Sequence, residues 1–210
     1  GFGARQAAAR KDGRYLGIGT ANAVEATGLG PYEGATVRVA TSGKIVVYTG
    51  ATPQGQSHKT TLAQIAADQL GVDYNDVAIV TADTASIALG IGSFAARTAV
   101  NAGSSVHLAA IEVAAKAKKI AAGMMECVED DLELAEGYVR LKSAPDVRKS
   151  LREIAVKSIG MPGFSMAGGL PPGLEHTAYF TPDQAVYSNG THVAEVEVDI
   201  ETGAVGIARY

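Results

Sequence analysis

The sequence predicts an α+β fold built on a mixed β-sheet with packed helices. Three observations carry this. Two β-rich runs, TVRVAT (36–41) and KIVVYTG (44–50), are split by Ser42-Gly43, a hairpin signal because glycine supplies the positive φ of a tight turn. Two later segments carry helical periodicity. The hairpins are interleaved with those helices in the order β-β-α-β-α-ββ-α-βββ, which argues against a doubly wound sheet.

Each element follows from its own pattern. Residues 13–27 read as a strand with a glycine-marked irregularity. After the first hairpin comes the polar loop ATPQGQSH. TTLAQIAADQL (60–70) then places Leu62, Ile65, Ala66 and Leu70 on one face, with Gly71 as a stop. VAIVTAD (77–83) reads as a short buried strand. A long helix is predicted over Ala99 to Met125, because Val106, Ala110, Val113, Ala117, Ile120 and Met124 recur at alternating steps of four and three. Its small buried stripe predicts a close approach to a neighbour, and Glu112 and Lys116 pair on its exposed side. DLELAEGYVRLK (131–142) turns at Glu136-Gly137 as a second hairpin. SLREIAVKSI reads as a short amphipathic helix. Residues 159–176, rich in proline and glycine, read as a loop. The tail, with Asn189-Gly190 and Thr202-Gly203 between β-rich runs, reads as a three-stranded meander. The expected division is 1–158, a linker at 159–177, and a meander at 178–210.

Composition narrows function. The 210 residues carry 18 basic and 22 acidic side chains, a net charge of −4 without basic clusters, so nucleic acid is not an expected partner. No apolar run is long enough to span a bilayer. The single cysteine, Cys127, excludes an internal disulfide and an all-cysteine metal site, and is expected to be structural. A cytoplasmic setting is expected.

Two glycine-bearing loops, each opening a helix, are the candidate site. GQSH (Gly55, Gln56, Ser57, His58) precedes the 60–70 helix, and GIGSFAARTAVNAG (90–103) precedes the long one. Clustered backbone N–H groups before a helix suit an anion or an acceptor-rich ligand, and Arg97 adds a forked donor. Two such loops suit one ligand gripped from both sides. GIGSFAA also nearly fits a dinucleotide fingerprint, giving an NAD-binding dehydrogenase domain as an alternative. That fingerprint needs a strand running directly into the first glycine, and ADTASIAL intervenes. A non-catalytic remnant or assembly module is the third reading. Of the histidines, His58 is the site candidate, while His107, His176 and His192 show no metal-ligand spacing. Asp83 is expected to cap its loop. The acids at 126–131 are expected to be solvated.

GRYLGIG, VEATGLGPYEGATVRV, GQSHKTTLAQIAADQLGV, VTADT and GIGSFAARTAVNAG, in that order, resemble the molybdenum-cofactor subunit of the xanthine dehydrogenase, aldehyde oxidase and aerobic carbon monoxide dehydrogenase family. The resemblance implies a fragment of a molybdopterin-binding region. Gly55, Gln56, Ser57 and His58, and Ser93, Phe94, Ala95, Ala96, Arg97 and Thr98, would contact molybdopterin cytosine dinucleotide. It further implies hydroxylation of an aldehyde or N-heterocycle with oxygen from water, or oxidation of carbon monoxide. Electrons would leave through [2Fe–2S] and FAD on partner subunits or domains. Ser57 replaces the family's usual glycine and Lys59 a common glutamate, both expected to cost little. Ala95-Ala96 replace Gly-Ser, removing a hydroxyl. The family's catalytic glutamate follows beyond Tyr210 and another cofactor loop precedes Gly1, so this stretch alone is expected to be inactive and to carry no catalytic or metal-ligating residue.

Overall fold

A computed structural model describes residues 1–160 and 169–210. The fold is α+β, and the chain divides into two compact units, residues 27–185 and residues 1–26 with 186–210.

The larger unit is built on a four-stranded mixed sheet. Strand β2 (Glu33–Val39) pairs antiparallel with β3 (Ile45–Thr49), and β3 pairs parallel with β4 (Val77–Val80) across the crossover helix α2 (His58–Leu70). The β2–β3 connection is longer than a two-residue hairpin: the Ala40 amide donates to Lys44 O and the Gly43 amide to Ala40 O, with Gly43 at φ 89°. Helix α3 (Gly103–Met125), entered through a π-helical turn at Thr98–Ala102, lies on this sheet and against α2. Val37, Val47, Leu62, Ala66, Leu70, Val106, Ala110, Val113 and Ala117 form the core between them. Of the predicted stripe, Val106, Ala110, Val113, Ala117 and Ile120 are buried, and Met124 is half-buried against the core. The small stripe does permit a close crossing. A Cβ at Gly103 would sit 3.1 Å from Ile65 Cδ1 of α2. Removing one large core side chain, such as Leu70 to Ala, is expected to cost about 2–5 kcal/mol.

Beyond α3, β5 (Leu132–Ala135), β6 (Tyr138–Leu141) and β7 (Ala144–Ser150) form a small antiparallel sheet. Strand β7 is not legible in the sequence because APDVRKS has no apolar alternation and its one large apolar residue, Val147, is exposed. It ends at Ser150, which caps α4 (Leu151–Lys157) through a full capping box with Glu153.

The predicted meander is not formed. Strand β8 (Leu174–Phe180) joins the four-stranded sheet by pairing antiparallel with β2, giving the order β4-β3-β2-β8. In the smaller unit β9 (Val186–Val198) and β10 (Val205–Arg209) pair antiparallel, and β9 lies beside β1 (Tyr15–Thr27). Asn189-Gly190 therefore lies inside a strand. The turn is at 199–204, where the Asp199 carboxylate accepts from the amides of Glu201 and Thr202. The compact units divide at 26/27 and 185/186, and residues 161–168 of the expected 159–177 loop lie outside the described residues. Helix α1 (Phe2–Lys11) was not predicted either. It buries only Ala9, so it has no apolar face to read. Arg14 grips Glu197 of β9 by two hydrogen bonds of 2.8 and 2.6 Å, an exposed pair screened by solvent. No helix among the described residues is long and apolar enough to cross a membrane.

Candidate functional site

The two glycine loops meet at the ends of the sheet strands in the larger unit. The first leaves β3 after Thr49 and enters α2. Ser57 is the N-cap residue of α2 but its hydroxyl caps nothing; the Thr60 and Thr61 amides donate to Ser57 O, and the His58 and Lys59 amides and the positive end of the helix dipole are left for another acceptor. Gln56 Oε1 folds back to accept from the Gln54 amide. The second loop leaves β4 and reaches α3. Its start is tied by Asp83, which accepts from the Ala85 amide at 3.0 Å and the Ser86 hydroxyl at 2.6 Å. The Ser86 hydroxyl and then the Ala85 amide hold the Asp83 carboxyl below the usual carboxylate range. Asp83 is thus a loop cap, as its position predicts.

The loops are in contact through glycines. A Cβ at Gly90 would lie 2.9 Å from Gly50 Cα and 2.8 Å from Glu33 Oε1, and one at Gly50 would lie 2.9 Å from Gly90 Cα. These two glycines are bare so that one loop can lie on the other. The sequence reading, which assigned the bare backbone to a ligand, misses this use.

Beneath the contact is a buried ion pair. Glu33 and Arg97 have fully buried side chains, with Arg97 Nη1 donating to Glu33 Oε2 at 2.8 Å. The Gly92 amide donates to the same oxygen at 2.9 Å, and the Ile91 amide reaches both carboxylate oxygens at 3.2–3.3 Å. Arg97 donates further from Nε to Leu29 O at 2.6 Å, from Nη1 to Gly92 O at 2.6 Å, and from Nη2 to Tyr32 O. With the Asn101 amide oriented to satisfy its neighbours, Nη2 also donates to Asn101 Oδ1 at 3.1 Å. All five guanidinium N–H groups are then used. Of the two roles open to Arg97, steadying the loop or meeting a phosphate, its buried side chain takes the first, from inside.

Above the pair lies a cleft of about 400 Å³, lined by Gln54, Gln56 and His58 from one loop and by Ser93, Phe94, Ala95, Ala96, Thr98 and Ala99 from the other. Seven of these lining residues belong to the predicted set. Gly55, Ser57 and Arg97 do not line it. Among the described residues, two buried polar atoms, His58 Nδ1 and Ser93 Oγ, have no hydrogen-bond partner, and both residues line this cleft. Among the described residues, none accepts from the amides of Phe94, Ala95 or Ala96. Unpaired buried polar atoms are costly and rare, so the two on this cleft, beside the open amides of the exposed residues 94–96, mark a surface shaped for a polar ligand. Burial lowers the His58 pKa and keeps its imidazole neutral near pH 7.

Backbone strain concentrates at the same place. Ser57 (φ 60°), Ala95 (φ 46°) and Ala96 (φ 49°) adopt left-handed conformations. Each costs an L-residue about 1–2 kcal/mol. The expectation that Ser57 costs little in place of glycine is therefore corrected. Glu33 is the residue that sequence reasoning missed. Its signal was an acid within the β-rich run PYEGATVRV, a residue type that a buried strand tolerates only with a partner.

The arrangement offers binding groups. The lining side chains are amide, imidazole, hydroxyl, phenyl and methyl, and among the described residues no cluster of His, Cys, Asp or Glu could hold a metal ion. A dinucleotide turn is also absent from its expected place, because β4 ends at Val80, well short of Gly90.

Comparison with known proteins finds relatives over the whole chain. A molybdopterin cofactor-binding domain model matches residues 1–210. The chain is 33% identical to the nicotine 6-hydroxylase large subunit of Paenarthrobacter nicotinovorans over 98% of its own length and 26% of that protein's. Among solved structures it resembles quinoline 2-oxidoreductase of Pseudomonas putida 86, with 34% identity, a TM-score of 0.78, and coverage of 98% of this chain and 28% of that one. It also resembles reconstituted CO dehydrogenase of Oligotropha carboxidovorans, with 32% identity, a TM-score of 0.83, and coverage of 99% and 28%. The chain thus spans about a quarter of the length of these relatives.

Proposed function

The chain belongs to the molybdopterin cofactor-binding domain family, and from that premise we propose that it forms one wall of the cofactor site of a molybdenum hydroxylase. In this reading its two loops hold molybdopterin cytosine dinucleotide. The observation that carries the proposal is the coincidence of orphaned polar groups and bare amides on one cleft. A pterin nucleotide is rich in acceptors and carries a pyrophosphate, and this donor set fits both.

The residues present divide the work. The amides of Phe94, Ala95 and Ala96 and the uncapped first turn of α2 offer donors to anionic or carbonyl oxygens. Ser93 Oγ donates or accepts, as the ligand requires. The neutral His58 ring presents one nitrogen to the cleft and orients the ligand without adding charge. Gln56, whose carboxamide oxygen is engaged by its own loop, keeps its amide nitrogen for the ligand. Gly55 (φ 104°) and Ser57 turn the first loop into α2, and Thr98 and Ala99 close the cleft's inner edge. Arg97 acts from inside. Bound there, the cofactor supplies two-electron oxidation of a substrate with oxygen drawn from water, and this chain supplies binding and orientation. The substrate is a small molecule, an aldehyde, an N-heterocycle or carbon monoxide. The base, the [2Fe–2S] and FAD carriers and the rest of the cofactor site are contributed from outside these 210 residues, in a cytoplasmic complex.

The test is composition. The protein purified natively is expected to carry molybdenum and to release cytidine monophosphate on acid hydrolysis, about one of each per chain. Purification with neither refutes the proposal.

A further inference from the structure

We infer that Glu33 is the positioning residue of this cofactor cleft, an inference that rests on the proposed cofactor reading. One carboxylate holds the second loop at both of its ends. At the near end it accepts from the Ile91 and Gly92 amides; at the far end it accepts from the Arg97 side chain. The four residues between these anchors, Ser93 to Ala96, all line the cleft, and the amides of Phe94, Ala95 and Ala96 are unbonded among the described residues. The same carboxylate lies against Gly90 where the two loops touch, so it also sets the spacing of the walls.

Stability alone does not account for the pair. Replacing a buried ion pair by well-packed apolar residues is often neutral or favourable, so its presence points to a geometric demand. That demand is visible in Ala95 and Ala96, two consecutive residues in left-handed conformations. Such residues persist only where their surroundings over-determine them. The anchors at 91, 92 and 97 supply that constraint, and all of them lead to Glu33. Ser105 fixes Glu33 in turn, its hydroxyl donating to Glu33 O at 2.7 Å.

The experiment compares Glu33→Gln, Arg97→Lys and the charge-neutral double variant E33Q/R97Q with wild type in the natively purified protein. Val113→Ala, a buried α3 change away from the cleft, controls for lost stability. Two quantities are read: the rate at which cytosine nucleotide is released from folded protein, and amide exchange over 93–96 in cofactor-free protein. E33Q is expected to release nucleotide about 10-fold or more faster than wild type, the scale for loss of a supporting partner, and to exchange faster at 93–96. V113A is expected to match wild type in both at a similar loss of melting temperature. Arg97→Lys keeps the charge but loses the fork, and is expected to behave as E33Q; it decides the matter if E33Q does not fold. The double variant is expected to regain melting temperature without regaining nucleotide retention. Recovery of retention in the double variant, or wild-type retention and exchange in E33Q, overturns the inference. If wild type itself holds no molybdenum and no cytosine nucleotide, the cofactor reading fails, and the exchange over 93–96 still decides the role of Glu33.

Discussion

Adding a single methyl group at Gly90 tests how closely the two loops are joined. In Gly90→Ala the new Cβ would stand 2.8 Å from Glu33 Oε1 and 2.9 Å from Gly50 Cα. Neither neighbour yields cheaply. The carboxylate is fixed by Ile91, Gly92 and Arg97, and the other contact is backbone. Gly90 has no positive φ, so the whole cost is crowding, about 1–3 kcal/mol. For a chain of this size a mid-range loss of about 2 kcal/mol lowers the melting temperature by roughly 4–8 °C. Gly190 provides the contrast. It lies within β9, has nothing within 4 Å of its would-be Cβ, and Gly190→Ala is expected to be neutral or stabilising by about 0.5–1 kcal/mol. Thermal and urea unfolding of both variants measures the difference. If Gly90→Ala unfolds within about 0.5 kcal/mol of wild type, the loops do not lie on one another as described.

Ser57→Gly relieves a left-handed serine at φ 60°, and the gain of about 1–2 kcal/mol exceeds the entropy cost of glycine, so its melting temperature is expected to rise by a few degrees. Ser150→Ala removes the hydroxyl of the α4 capping box and is expected to cost about 1 kcal/mol by urea denaturation. The His58 pKa lies below its ordinary 6.5 because of burial, so the unfolded chain binds the proton first. Stability is therefore fully present above pH 6.5 and falls as pH drops from there toward the folded value. NMR titration is expected to show His58 changing charge at lower pH than a free histidine, and His58→Gln is expected to flatten stability over that window.

Periodic apolar faces made α2 and α3 legible, and Gly71 at φ 61° ends α2 as its position predicts. Opposite cases explain the failures. Helix α1 has no buried face beyond Ala9, so nothing periodic marks it. The pairing of β8 with β2 joins residues more than a hundred positions apart, as in the Thr36–Thr177 hydroxyl contact, and local pattern carries no information about such a partner. The two candidate loops were legible because small residues ahead of a helix have a local physical meaning. The direction of Arg97 was not: a forked donor in a glycine loop serves equally well outward to a ligand or inward to a carboxylate, and only the fold brings Glu33 beneath it. The glycines divide in the same way, since Gly90 is bare for Gly50 rather than for a ligand.

In the proposed site both loops hold one ligand. Hydrogen exchange read by mass spectrometry, comparing cofactor-loaded with cofactor-free protein, tests this directly. Loading is expected to slow exchange at 54–58 and at 93–98 together. Slowing at one loop with the other unchanged, or at neither, contradicts it.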